Sequence, residues 1–231
     1  KDIASYTSNL IIPIINLDDY KEELENEITI DLASRSDRFG LLKSQNVIMI
    51  MCETCEEYGF SEDYTPNYMR LKASSIFFSN FYSAAKSNYT YDAEFKSLAS
   101  MMYFESDNYM YTYGGNTYSN ALPWILREEG YSTQSFHNFT GSFFNRNEIH
   151  NQLGFDRFYS KEDMDLSKTE FWPLDSEMFI DMRDFIAPIQ ENPFFSFVIT
   201  VTSHGPYDTM REELNPYYDI LKSDAKIDHD D

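Results

Sequence analysis

Apolar positions along the chain fall into short runs, separated by stretches whose spacing is that of helices. NVIMIMCETCEEYGF, residues 46–60, opens with an apolar strand over 47–52 that runs straight into Cys52, Glu53, Thr54 and Cys55. TPNYMRLKA then reads as a helix with Pro66 in its first turn, where a missing N–H costs nothing, and IFFSNFY over 76–82 reads as a strand. A helix opens near Thr90 (TYDAEFKSLAS), another over SNALPWILREEG ends at Gly130, a residue suited to a helix C-terminus, and YSTQSFH reads as a strand. After a loop, NRNEIHNQLG gives a short helix and DSEMFIDMRDFIAPI one longer helix. PFFSFVITVTS is apolar at nearly every position, as in a strand buried on both faces.

Strands alternating with helical segments require right-handed crossovers. The expected class is therefore α/β, a mainly parallel sheet with helices on both faces. In such sheets ligands bind beyond the carboxyl ends of the strands, which brings CETCEE, SAAKSNYT, HNFTGSFFNR and SHGPYD together as candidate site segments. Residues 1–45 hold no strong strand, only the acidic helical stretch DDYKEELENEI, and read as a lead-in arm to a core spanning 46–231.

Composition narrows the functions open to this pattern. A length of 231 residues suits one large domain, and 19 Phe with 18 Tyr exclude a disordered polymer. Eighteen basic against 39 acidic residues give a net charge of −21, which repels a nucleic acid backbone and opposes adsorption to anionic lipid. An anionic substrate would then need a local cationic pocket or a bound cation. The apolar run LIIPII at 10–15 is too short to cross a bilayer and contains Pro13, and no basic leader with a cleavage site precedes it. The chain opens at Lys1 and closes on the polar KSDAKIDHDD, so a piece of a longer protein is expected.

Among the strand-end residues, Glu53 offers a hard oxygen ligand for Mg, Mn or Zn, or is simply a solvated loop carboxylate. Cys52 and Cys55 have the spacing of a redox pair, but acidic residues 53, 56 and 57 oppose thiolate formation. With two cysteines in the chain, a zinc site would have to draw on four scattered histidines. Structural cysteines or an exposed disulfide remain the plainer readings. Thr90 suits a helix cap, with Asp92 and Glu94 in the first turn. The same position suits a nucleophile next to free helix N–H groups. His137, Arg146 and His204 follow strands and together could form the anion pocket that the charge demands.

NVIMIMCETCEEYGF, FFSNFYSAAKSNYTYDAEF, YTYGGNTYSNALPWILREEGYSTQSFHNFTGSFFNRNEIHNQLGFDRFY and PFFSFVITVTSHGPY occur in the order and spacing of one family. From about residue 46 to 207 the chain resembles the extracellular domain of lipoteichoic acid synthases, membrane-bound phosphoglycerol transferases with the alkaline phosphatase and sulfatase fold. The resemblance implies a Mn2+ or Mg2+ ion held by Glu53 and Thr90. Thr90 would attack phosphatidylglycerol, hold glycerophosphate covalently and pass it to a polyglycerolphosphate chain. His137, Phe144, Arg146 and His204 match substrate-pocket positions, with Arg146 the fork for a phosphate. It further implies a place on the extracellular face of a bacterial membrane, reached through a segment absent from this chain.

Two departures stand out. Phe144 replaces the tryptophan of the best-known members and removes an indole N–H donor. The family completes its metal site with a consecutive Asp-His after a later strand. Asp228-His229 lacks an apolar strand before it and is not that pair. The competing functions are a phosphoethanolamine transferase, a sulfatase-like hydrolase, or a noncatalytic domain binding glycolipid or polymer. A threonine nucleophile argues against a sulfatase, which uses a modified cysteine or serine.

Overall fold

The computed structural model describes residues 40–82, 89–100, 115–169, 172–206 and 214. The chain divides into two units, Lys1–Gln45 and Asn46–Asp231. Of the first, residues 40–45 are described and form turns, with Lys43 N–H bonded to the Gly40 carbonyl at 3.0 Å. The acidic stretch DDYKEELENEI and the Asp228-His229 pair lie outside the described residues.

In the second unit the elements run β1 Val47–Met51, α1 Pro66–Ala73, α2 Thr90–Ala99, α3 Leu122–Glu128, β2 Ser132–His137, α4 Arg146–Gln152, β3 Arg157–Tyr159, α5 Asp175–Asp181, α6 Arg183–Ile186 and β4 Phe194–Ile199. The four strands form one sheet in the order β1-β4-β2-β3, and every pairing is parallel. The all-apolar strand is therefore central. Each of its six residues is buried, as a strand covered on both faces requires.

Alternation along β4 divides the core in two. Phe195, Phe197 and Ile199 enter a cluster with Tyr91, Phe95 and Leu98 of α2 and Ile149 and Leu153 at α4, with Leu122, Trp124 and Leu126 of α3 packed against it. Val198 points to the other face and joins Phe136, Met178, Met182 and Ile186, so α5 and α6 cover that side. Helices on both faces of a parallel sheet make the class α/β, as expected.

Two local expectations fail, and one element was not foreseen. Residues 76–82 form no strand, and Ile76, Phe78 and Phe81 are 85%, 73% and 82% exposed. An apolar run becomes a strand only with a partner ladder, and among the described residues the outer edge of β1 has none. The single long helix expected over DSEMFIDMRDFIAPI breaks at Met182, whose ψ of 9° departs from helical geometry, and becomes α5 and α6. The edge strand β3, three residues long, gave no run in the sequence long enough to read.

Candidate active site

Parallel pairing puts the carboxyl ends of β1, β4 and β2 on one edge, in register. Met51 is opposite Ile199 and Ile199 opposite His137, a single row across three strands. Glu53 lies two residues beyond its end of that row. Its N–H donates to Thr200 Oγ1 at 2.8 Å, its carbonyl accepts from Ser203 Oγ at 2.5 Å, and Thr54 Oγ1 donates to the Ser203 carbonyl at 2.7 Å. These bonds stitch the loop after β1 to the loop after β4. A second brace comes from Asp175, whose carboxylate accepts from the N–H groups of Val201 at 2.8 Å and Thr202 at 2.9 Å and from Asn138 Nδ2 at 3.0 Å. It thereby ties the loop after β4 to the loop after β2.

Thr90 is the first residue of α2, one position inside the helix, because Tyr89 occupies the capping position. Its hydroxyl does not cap the helix. Thr90 Oγ1 donates instead to Glu53 Oε2 at 2.9 Å, joining residues 37 apart in sequence. The threonine thus sits at a helix N-terminus, where backbone N–H groups favour an anion, with its proton directed at a carboxylate.

His137 ends β2 and is 4% exposed. Its Nδ1 lies 3.0 Å from the Ile199 carbonyl, which can only accept, so Nδ1 carries the proton and Nε2 is left as an acceptor. Burial, with the nearby Arg146 guanidinium, pushes its pKa down to about 3 and keeps the ring neutral.

Arg146 opens α4 and is 1% exposed. Nε donates to Glu94 Oε2 at 3.0 Å, while Nη1 is buried without a hydrogen-bond partner among the described residues. A buried guanidinium N–H left unpaired is costly, so Nη1 stands as an open donor for an oxygen acceptor. Before Arg146 two consecutive residues are left-handed, Phe144 (φ 56°) and Asn145 (φ 54°); asparagine tolerates this region, whereas at Phe144 it costs about 1–2 kcal/mol. The Phe144 ring lies 5.2 Å from the guanidinium carbon and meets Tyr91 edge-on at 4.9 Å.

His204 stands farther out on the loop after β4. It is exposed, with Nδ1 bonded to the Gly205 carbonyl at 2.7 Å and its ring 4.7 Å from that of Trp172. The structure therefore brings Glu53 to Thr90 and Phe144 to Arg146, and links His204 to Glu53 through its neighbour Ser203. Cys52 and Cys55 are joined as an exposed disulfide around Glu53.

Sequence reasoning passed over the group that binds these parts together. Glu94, Ser135 and His150 are buried; Glu94 Oε1 lies 2.6 Å from His150 Nε2, and His150 Nδ1 lies 2.8 Å from Ser135 Oγ. Burial would raise the Glu94 pKa, but Arg146 and His150 outweigh it and hold the carboxyl below its usual range. A signal was present: Glu94 follows Thr90, and His150 follows Arg146, at the four-residue spacing that puts both on one helix face.

Among the described residues no group of three His, Cys, Asp or Glu side chains could hold a metal. Glu53 and Thr90 offer two hard oxygens side by side. They fit part of the coordination sphere of a cation such as Mn2+ or Mg2+.

The family model described as Sulfatase matches residues 45–226. A lipoteichoic acid synthase of Staphylococcus saprophyticus is 28% identical over 189 residues, 77% of this chain and 29% of that protein. Lipoteichoic acid synthase LtaP from Listeria monocytogenes superposes with a TM-score of 0.65 at 24% identity, over 80% of this chain and 47% of that one. The phosphoglycerol transferase GacH of Streptococcus pyogenes, solved in complex with sn-glycerol-1-phosphate, gives a TM-score of 0.50 at 19% identity, over 83% of this chain and 51% of that one. The chain thus spans about 29% of the length of that curated relative.

Proposed function

The chain belongs to the sulfatase family, and from that premise we propose that it forms the N-terminal part of a phosphoglycerol transferase domain. In this reading residues 1–45 are the arm that leads in from a membrane-proximal linker, and 46–231 belong to the catalytic domain. The domain moves glycerophosphate from phosphatidylglycerol to a polyglycerolphosphate chain on the extracellular face of a bacterial membrane. Among the described residues no helix is long and apolar enough to cross a membrane. The observation that carries the reading is the Thr90 Oγ1 to Glu53 Oε2 bond, 2.9 Å, at a helix N-terminus on the carboxyl edge of the sheet.

Thr90 Oγ attacks phosphorus, the phosphorus–oxygen bond to diacylglycerol breaks, and diacylglycerol leaves as the alcohol with the proton. A terminal hydroxyl of the acceptor then attacks the phosphothreonine, extends the polymer by one glycerophosphate and returns Thr90 to its free form. Arg146 Nη1 binds a phosphoryl oxygen, and the free Nε2 of His137 accepts from a glycerol hydroxyl. Phe144 and His204 line the pocket. Glu53 and Thr90 would hold a manganese or magnesium ion, with a consecutive Asp-His pair completing the set as in the family, and the ion would supply the Lewis acidity that favours loss of the hydroxyl proton. On this reading the 231-residue chain alone is inactive.

The test is intact-protein mass spectrometry of the complete protein incubated with phosphatidylglycerol and Mn2+. A single glycerophosphate adduct is expected on the wild type and none on Thr90→Ala. An adduct that persists in Thr90→Ala would falsify the nucleophile. Transfer from phosphatidylethanolamine in place of phosphatidylglycerol would reassign the donor.

A further inference from the structure

Glu94 occupies a place that the reaction above does not use. It lies on α2 one turn beyond Thr90, is 0% exposed, and divides its carboxylate between two partners on α4. Oε2 takes the N–H of Arg146 Nε at 3.0 Å, and Oε1 lies 2.6 Å from His150 Nε2. His150 is in turn fixed by Ser135 Oγ at 2.8 Å, on β2. The carboxylate is thus held at both oxygens and cannot rotate, and it holds the guanidinium by a single edge. Nη1 of that guanidinium remains buried and unpartnered among the described residues.

An ion pair serving the core alone would use as many of the five guanidinium N–H groups as it could reach, because each one left bare in the interior is costly. Here one side of the fork is engaged and the other left open. We propose that Glu94 is a positioning residue for phosphate recognition: it fixes Arg146 so that Nη1 is presented to a phosphoryl oxygen, and it locks that donor to the helix that carries Thr90. The distance between phosphate donor and nucleophile is then set by α2 itself rather than by the loop at 143–145. Ser135 and His150 complete the device by holding the second carboxylate oxygen. This inference rests on the glycerophosphate-transfer reading of the site.

Two conservative replacements separate geometry from charge. Glu94→Gln loses the charge but keeps the reach, with its amide oxygen able to accept from Arg146 Nε and its amide group facing His150 Nε2. Glu94→Asp keeps the charge but draws the carboxylate back by one methylene. Binding of sn-glycerol 1-phosphate to the complete protein, measured by calorimetry, is expected to stay within about threefold of wild type in Glu94→Gln and to weaken more than tenfold in Glu94→Asp. In an Arg146→Ala background the difference between the two replacements should vanish, because Glu94 acts through that arginine. Thermal melts of each variant confirm that folded protein is being compared.

The reverse order, with Asp tolerated and Gln not, overturns the proposal and makes Glu94 a charge balance for the core. Equal effects of the two replacements overturn it as well, as does a difference that persists without Arg146. If Arg146→Ala alone leaves affinity unchanged, the phosphate fork itself is wrong and the functional reading fails with it. A tenfold loss in Arg146→Ala without the Gln-over-Asp order removes this inference and leaves the functional reading standing.

Discussion

His137 is neutral because of where it is, and that has a sign in pH. Its pKa is about 3 in the folded protein against 6.5 for a free imidazole, so between those values the unfolded chain takes up a proton that the folded chain refuses. Stability from this group is full above about pH 6.5 and falls as pH is lowered toward 3. From pH 7 to pH 5 the wild type should lose about 2 kcal/mol more than His137→Asn, which has no proton to take up. Urea melts at the two pH values measure this, and equal losses would show that His137 is not held neutral. Glu53 and His137 were legible from the apolar strands that lead to them, whereas Thr90 and Arg146 each open a helix. Glu94 and His150 were not legible, since each looks like an ordinary polar position on an amphipathic helix until the two helices are placed face to face.

Among the elements, the contact between α3 and the turn after α4 is the tightest to test. Gly154 has φ +102°, and a Cβ there would lie 2.6 Å from Trp124 Cγ and 2.7 Å from the Trp124 backbone nitrogen. The tryptophan cannot retreat freely, because Nε1 donates to the Gln152 carbonyl at 3.0 Å. Gly154→Ala should therefore cost roughly 2–4 kcal/mol, combining backbone strain with overpacking. Calorimetric melting checks it: a change under 1 kcal/mol would mean that the helix pair yields easily. Gly130, by contrast, also has positive φ but has nothing within 4 Å of its would-be Cβ, so only the conformational cost applies there. Elements with their own boundaries were readable in advance, such as α1 behind Pro66 and α3 ending before Gly130. Residues 76–82 were misread because apolarity alone cannot show whether a neighbouring strand exists. The break at Met182 went unseen because no proline or glycine marks it.

At the scale of the molecule, the class followed from alternation of strands and helices, whereas strand order did not, since β4 entering between β1 and β2 is set by long-range packing of Phe195 and Phe197. The row Met51–Ile199–His137 has a further consequence, for chain length. One residue inserted between Phe197 and Val198 would move everything after it by about 3.3 Å and exchange the two faces of the strand. Val198 would be turned to the face covered by α2 and α3 and Ile199 to the face covered by α5 and α6, and Thr200 and Ser203 would be withdrawn from Glu53. The same residue inserted after the exposed Glu191, ahead of β4, leaves the row untouched. Near-ultraviolet circular dichroism should show native packing for the second insertion and none for the first. Insertions and deletions that separate related chains should accordingly gather in the crossovers, while the three strands behind the site keep a fixed residue count, a frame inherited whole or lost whole.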